Sequence, residues 1–365
     1  MKKRIRKGYW EAEWNRKPGL TVGLDLGDRR SRYCMLNEDG EVVEEGSIAT
    51  TEAGIRKQFE GEAEQRVAIE CGTHSPWISR LLKQLGHQVM VANARKVRAI
   101  SQNESKNDKV DAEMLARLAL SDPKLLSPLR HRSVERQRDL NLIRTRDVLV
   151  RARTMLINAV RGLVKSAGGR LPACDAAHLD RHARPALPRE LKAAAAPLLD
   201  QIKSLTGQIH LLDGKIEKLA QRYPEIGLLR TAPGVGPIVA AAYVLTLDRA
   251  DAVHSTRAAG AFLGLRPRQS QSGQSDPQLG ITKTGNIYLR RLLVQSAHYI
   301  LGRFGPDSAL RRWGLRLAGS GSKRHKKRAV VAVARKLAVI LNRMWRDRKP
   351  YQHFPKQNQE ATAAA

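Results

Sequence analysis

Apolar positions follow two rhythms along the chain, and the change from one to the other divides it. From Leu20 to Ala92 they come in short runs of strand length: Leu20-Thr-Val-Gly-Leu-Asp25-Leu-Gly27, Ser31–Leu36, Glu41–Ile48, Arg66–Glu70 and His87–Ala92. The turn Asn37-Glu-Asp-Gly40 joins the second run to the third as a hairpin. Helical spacing interrupts the runs at about 52–59 and 75–85. It returns from Asp108, where Val110, Met114, Leu115, Leu118 and Ala119 define one apolar face. The predicted order β-β-β-α-β-α-β-α is a mixed sheet with helices on its faces.

Beyond Val134 the rhythm is helical. The segment 134–163 places Leu140, Ile143, Leu149, Ala152, Leu156, Ala159 and Leu163 on one side. Leu198, Ile202, Leu205, Ile209, Leu212, Ile216 and Leu219 alternate spacings of four and three, a heptad seam. Two such helices can pair as an antiparallel coiled coil, within one chain or between chains. The segment joining them, Gly168 to Pro197, holds Pro172, Pro185 and Pro188 and is expected to be irregular. A Pro233-Gly-Val-Gly236 turn between helical stretches opens a further domain. Ala329–Trp345 then reads as an amphipathic helix with Val330, Val333, Leu337, Ile340, Leu341 and Met344 inward. The expected fold class is α/β plus all-α. Its parts are a basic lead-in (1–19), a sheet domain (20–125), a coiled-coil linker (134–222), a mainly helical C-terminal domain (226–350) and a disordered tail (351–365).

Charge narrows the class of partner. Lys and Arg number 65 against 35 acids, a net charge of +30 spread from end to end of the 365 residues. A polyanion is the expected partner, and nucleic acid fits better than a membrane, since no apolar run approaches the ~20 residues that span a bilayer. No apolar signal-peptide core follows the basic start, so a cytoplasmic, nucleoid-associated protein is expected. Cys34, Cys71 and Cys174 are widely separated and odd in number, which points to neither a disulfide framework nor a cysteine zinc site. Cys174, His178 and His182 lack a suitably spaced fourth ligand. No Walker loop is present, so nucleoside triphosphate hydrolysis is not indicated.

The candidate chemistry centres on acids. Asp108 and Asp111 stand three apart where a helical pattern begins, on neighbouring edges of one turn. Like charges so close require a positive group between them. A hard divalent cation with oxygen ligands is one resolution; Lys106 and Lys109 on a solvated helix start are the other. Asp25 ends the first strand and Glu70 the fourth, at the carboxyl edge where α/β proteins place sites. Any one such acid is ordinarily structural or solvated. Four together could converge on two cations ~3.5–4 Å apart, which clamp the attacking and leaving oxygens of a phosphodiester.

This order of elements, with acids on strand one, strand four and the last helix, resembles the ribonuclease-H superfamily in its Holliday-junction-resolvase-like branch. More specifically, Gly23-Leu-Asp25, Ala68-Ile-Glu70 and Asn107-Asp108-Lys-Val-Asp111-Ala resemble the DEDD transposases of the insertion-sequence one-ten family. The resemblance implies that residues 20–125 form a ribonuclease-H-like catalytic domain. In it Asp25, Glu70, Asp108 and Asp111 would be a catalytic tetrad binding two Mg²⁺ ions.

The C-terminal half carries the second part of the likeness. Arg266-Pro-Arg268-Gln-Ser270-Gln-Ser272-Gly273-Gln-Ser275, followed by Gly280-Ile-Thr-Lys283-Thr-Gly285-Asn286 and Leu289-Arg290-Arg291, reads on its own as a polar surface loop between basic helices. It is similar to the C-terminal transposase domain of the same family, which makes Ser272 the implied nucleophile, with Ser270 and Ser275 blurring the register. The family likeness further implies DNA as substrate, a guide RNA encoded beside the gene, and a homo-oligomer, dimer or tetramer.

Candidate nucleic-acid contacts are Arg144 and Arg151 on the first long helix, Gly234 and Gly236 in a helix-hairpin-helix-like turn, and Arg266, Arg268, Lys283, Arg290 and Arg291 around the serine loop. Lys323 and Arg324 begin the basic run Lys323–Arg328. For the arginines the plain alternative is a solvated face, and for the glycines an ordinary turn. The rival reading of the whole is a two-metal, structure-specific endonuclease in which water attacks. A scaffold without chemistry is more distant.

Overall fold

The computed structural model describes residues 18–93, 108–273, 275, 277, 279–319 and 321–355. Residues 1–17 of the basic lead-in and the end of the tail therefore lie outside the described residues. The chain forms two compact units, 1–132 and 133–365.

The first unit is a five-stranded mixed sheet in the order β3-β2-β1-β4-β5, built from β1 (Thr21–Asp25), β2 (Arg30–Leu36), β3 (Val42–Ala49), β4 (Arg66–Glu70) and β5 (Gln88–Ala92). The first three strands are antiparallel, and β1, β4 and β5 are parallel. The β2–β3 hairpin turns where expected: the Asn37 side chain accepts from the Asp39 and Glu41 amides, and Gly40 takes a φ of +84°.

Alternation along the strands assigns each residue to a face. Val22, Leu24, Val67, Ile69, Val89 and Val91 point to one side, where helices α1 (Glu52–Phe59) and α2 (Ser75–Gln84) bring Ile55, Phe59, Ile78 and Leu82 onto them. On the other side Leu36 and Met90 stand among smaller residues. Cys34, Ala68 and Ala92 meet Ala112, Leu115, Ala116 and Ala119 of α3 (Asp108–Ser121). Gly23 lies on that face as well, where a Cβ would sit 2.5 Å from the Ala116 nitrogen and closer still to the Ala112 carbonyl oxygen. This mixed α/β arrangement is consistent with the ribonuclease-H-like domain that the sequence implies.

In the second unit α4 (Val134–Ser166) and α6 (Lys192–Arg222) run antiparallel. Polar pairs recur down one side of α4 at seven-residue steps: Asp139 with Arg222 (3.1 Å), Arg146 with Asp213, and Arg153 with Thr206 (3.2 Å). Two expectations need correction here. The joining segment is not irregular to Pro197: it contains α5 (Leu179–Ala186) and a 3₁₀ turn at Arg189–Leu191, and Pro197 lies inside α6. The cause is burial, since Leu179, Ala183, Ala195 and Leu199 pack on Ile157, Val160 and Val164 at the far end of α4. For the same reason the seam there runs through Ile157, Val160 and Val164, whereas Ala159 is exposed.

The remaining helices are α7 (Pro224–Leu229), α8 (Pro237–Leu247), α9 (Ala258–Phe262), α10 (Ile287–Leu301), α11 (Ala309–Ala318) and α12 (Lys323–Asp347). Helix α8 is apolar all round and accordingly central, with Tyr243 fully buried and its hydroxyl donating to the Ala338 carbonyl at 2.7 Å. Val333, Leu337, Leu341 and Met344 of α12 join this core, as do Leu140, Ile143, Ile216 and Leu219 from the coiled-coil base. Residues 351–355, expected to belong to the tail, are held in place. The Tyr351 amide donates to Thr231 Oγ1 at 2.9 Å, and the His353 carbonyl accepts from the Ala309 amide at 2.8 Å. Among the described residues no helix is long and apolar enough to cross a membrane.

Candidate active site

Two of the four acids are brought together by strand register. Strands β1 and β4 pair Gly23 with Ala68 and Leu24 with Ile69, so the next step sets Asp25 beside Glu70. Leu24 and Ile69 face α1 and α2, so by alternation Asp25 and Glu70 face the α3 side, on which Gly23 and Ala68 also lie. Both acids are half-buried. Helix α3 lies over Gly23 at Ala112, which puts Asp111, the preceding residue, in the turn of α3 nearest this edge. Asp111 is 8% exposed, unusually low for a carboxylate. Asp108 opens α3 one turn earlier; its side chain lies outside the described residues.

All four side chains offer carboxylate oxygen, the donor a hard divalent cation takes, and the N-terminus of α3 adds favourable partial positive charge. Among the described residues no three His, Cys, Asp or Glu side chains are gathered closely enough to hold a metal. The strand-end pair Asp25 and Glu70 supplies two carboxylates, a donor type open to Mg²⁺, which keeps several of its waters; Asp111 is not gathered with them closely enough to complete a set of three.

Sequence reasoning missed three neighbours of this edge. Arg32 stands directly opposite Asp25 in the β1–β2 register. Next, His74 Nδ1 accepts the Trp77 indole N–H at 3.1 Å, which leaves the proton on Nε2, 3.6 Å from Asp28 in the β1–β2 turn. Finally, the loop after Glu70 is fastened by Ser75, whose hydroxyl donates to the Gly72 carbonyl (2.8 Å) and accepts from the Gly72 amide (3.0 Å) and from His131 Nε2 (3.0 Å). Burial, with Arg80, Arg132 and Lys83 nearby, pushes the His131 pKa down to about 4. Only Arg32 had a signal in the sequence, as the cross-strand partner of Asp25 once the hairpin register is known.

The serine loop, expected as a polar surface loop, is bridged in hairpin fashion at its base and its tip. Arg268 and Thr282 amides donate to the Gly280 and Arg266 carbonyls, both at 2.9 Å. At its tip Ser272 and Ser275 exchange backbone hydrogen bonds of 3.2 and 2.9 Å, and Gly273 takes a φ of +55°, which gives the glycine after the serine a steric reason. Ser270, Ser272 and Ser275 are all exposed. Among the described residues no side chain hydrogen-bonds to the Ser272 hydroxyl. The base is rigid: Gly264 (φ +68°) and Gly285 (φ +76°) press against Thr284 and Phe262, and Asn286 caps α10 by accepting from the Leu289 amide at 2.9 Å.

The expected nucleic-acid contacts divide into two sets. Arg144, Arg268, Lys283, Lys323 and Arg324 are exposed, as is Gly236; Arg266 is exposed and bonded to Gln269. Others have structural employment. Arg290 donates to the Leu263 (2.9 Å) and Thr284 (2.7 Å) carbonyls and so ties the hairpin base. Arg291 and Arg151 both pair with Asp147 of α4. Gly234, with φ +72°, is packed against α10, where a Cβ would lie 2.9 Å from the Ser296 carbonyl oxygen.

Residues 22–168 match a family model described as a transposase of the DEDD IS110 type, and residues 227–312 match one described as transposase, IS116/IS110/IS902 family. A probable family 20 transposase of Pseudomonas aeruginosa is 30% identical over 329 residues, covering 88% of this chain and 95% of that one. The chain belongs to the IS110 family of insertion-sequence transposases. The transposase for insertion sequence element IS1111A of Coxiella burnetii is 26% identical over 337 residues, covering 88% of each chain. A pilin gene-inverting protein of Moraxella lacunata is 29% identical over 157 residues, 42% of this chain and 48% of its own. The protein is thus a DNA transposase, and the two matched regions hold the acids and the serine hairpin respectively.

Proposed function

We propose that this transposase cuts and rejoins DNA through a serine-linked intermediate at a metal-assisted site. The observation that carries the reading is the β1–β4 register, which sets Asp25 beside Glu70 on the face covered by α3 and Asp111. Asp25, Glu70, Asp108 and Asp111 would hold two Mg²⁺ ions, whose chemistry is to polarise the scissile phosphate and stabilise the departing 3′ oxygen. The Ser272 hydroxyl attacks the phosphorus, its proton leaves to solvent, and the bond to the 3′ oxygen breaks to give a 3′ hydroxyl and a phosphoserine diester. A 3′ hydroxyl of the exchange partner then attacks that diester and releases the serine, so the bond energy is conserved. The acids and the hairpin tip must meet at one site, within a chain or across a homo-oligomer of two or four chains. The exposed basic side chains serve DNA and a guide RNA, and the work is done in the cytoplasm at the nucleoid.

Incubation with a labelled DNA junction and Mg²⁺ tests this. A protein-linked strand should form with the native chain, persist in Ser270→Ala and Ser275→Ala, and vanish in Ser272→Ala and Asp111→Asn. Survival of the adduct in Ser272→Ala sinks the serine assignment. One observation favours the second reading, a two-metal endonuclease using water: among the described residues nothing activates the Ser272 hydroxyl. Under that reading the junction is cut but no adduct appears in any variant.

A further inference from the structure

Several large aromatics of the second unit are exposed, and cations lie over two of them. Arg303 sits 4.4 Å over Phe304 and Arg312 sits 4.9 Å over Phe354. Phe304 is 69% exposed, Phe354 53% and Tyr299 47%, and none of the three is part of the core. Rings exposed to this degree are open to a partner.

Contacts tie the segments that carry these residues to one another. The Tyr299 ring lies against the helix-hairpin-helix-like turn, where a Cβ on Gly234 would meet its Cδ1 at 3.1 Å. One helical turn on, Arg311 fixes the α10–α11 connection by donating to the Ile300 and Gly302 carbonyls, both at 2.5 Å, which holds Arg303 and Phe304 outward. His353 and Phe354 are fastened to the far side of that connection, through the Ala309 amide and a 3.2 Å contact of His353 Nδ1 with the Asp307 carbonyl. The circuit closes where the Tyr351 amide meets Thr231, at the start of the same turn. Asp307, an acid within this surface, is neutralised by Arg312.

We propose that Tyr299, Phe304 and Phe354 form a platform on which unpaired bases of a DNA strand stack, beside the Thr231–Gly236 turn. Flat rings topped by guanidinium groups match nucleobases, whose faces stack on aromatics and whose phosphates pair with arginine. A protein partner would be served by a continuous apolar patch, whereas here a guanidinium lies over two of the three rings. A recombining duplex must expose unpaired nucleotides while strands change partners, and this surface would hold them. The proposal rests on the family's action on DNA. It is independent of Ser272 and the four acids, so it is tested by binding in EDTA, where their failure has no effect.

The experiment uses the full chain, a fluorescein-labelled duplex, the same duplex with a short unpaired flap, and an RNA hairpin of similar length, followed by anisotropy. The Phe304→Ala/Phe354→Ala double variant should bind the flapped DNA about tenfold more weakly and the plain duplex within about twofold of the native chain. Phe304→Trp/Phe354→Trp should retain flap binding, which also shows that side-chain stacking and not folding is at stake. Equal weakening on flap and duplex, no weakening on the flap, or a loss confined to the RNA hairpin would each overturn the proposal. So would a shift in oligomeric state in place of a change in DNA affinity.

Discussion

Gly23 of β1 and Ala112 of α3 are in backbone contact, with no room for a side chain between them. The contact decides how far α3 sinks toward the sheet, and therefore how near Asp111 comes to Asp25, two residues along the strand. Gly23→Ala should push the helix away. Because both sides of the clash are backbone, the cost belongs at the upper end of overpacking, about 3 kcal/mol. Thermal denaturation would show the loss of stability, and Mg²⁺-dependent DNA cleavage should fall even below the melting temperature. Unchanged cleavage would mean that α3 does not position the acids.

His131 makes the stability of the first unit dependent on pH. Its folded pKa of about 4 lies below the ordinary histidine value of 6.5, so between those values the unfolded chain binds the extra proton. Stability is therefore full above pH 6.5 and falls as pH drops toward 4, by about 1–2 kcal/mol once partial solvent exposure is allowed for. His131→Gln keeps a donor for Ser75 but does not titrate. Melting temperatures measured across this window should diverge, with the native chain losing more than the variant. Parallel curves would remove His131 as the cause.

The hairpin base gives a separate handle on the serine. Gly285 has a φ of +76°, and a Cβ there would overlap the Phe262 carbonyl oxygen. Gly285→Ala should displace the hairpin while leaving the coiled coil helical, since α4 and α6 pack elsewhere. Misplacement of a nucleophile by ~1 Å costs about a hundredfold, and adduct formation should fall by that order. Circular dichroism should be unchanged and protease sensitivity within 266–282 increased. An intact adduct yield would show that the hairpin base does not position Ser272.

What was legible in the sequence was the part governed by local periodicity. The strands from Thr21 to Ala92, the helix at Asp108 and the inward face of α12 all follow from alternation or 3.6-residue spacing, which the chain obeys because each element has one buried side. Asp25 and Glu70 were found as strand-end acids, and register then made them neighbours. The misses share a cause. Helix α5 and the shifted seam of α4 arise from a non-local cap that no window of sequence contains. Arg290 and Gly234, expected as nucleic-acid contacts from charge and from glycine, also serve the fold, one tying a hairpin base and the other letting helices touch, which no local pattern announces. The His74–Trp77 and Ser75–His131 pairs had no signal, since each depends on loops meeting at the sheet edge.

Arg32 provides the sharpest test of the acid cluster. With Asp25 beside Glu70, two carboxylates repel across adjacent strands, and the cross-strand position of Arg32 supplies a compensating charge. A bound divalent cation supplies the same compensation more strongly, so the arginine and the metal should substitute for one another. Arg32→Met should therefore lower the melting temperature in EDTA, and added Mg²⁺ should recover more stability in this variant than in the native chain. Binding to the folded state alone stabilises by RT ln(1 + [L]/Kd), about 2.7 kcal/mol at a hundredfold excess over Kd. Glu70→Gln should act in the opposite sense: repulsion falls, stability in EDTA rises or holds, and the Mg²⁺ response disappears. If Mg²⁺ shifts the melting temperature of native, Arg32→Met and Glu70→Gln chains equally, the ion binds elsewhere and the strand-end carboxylates are not its ligands.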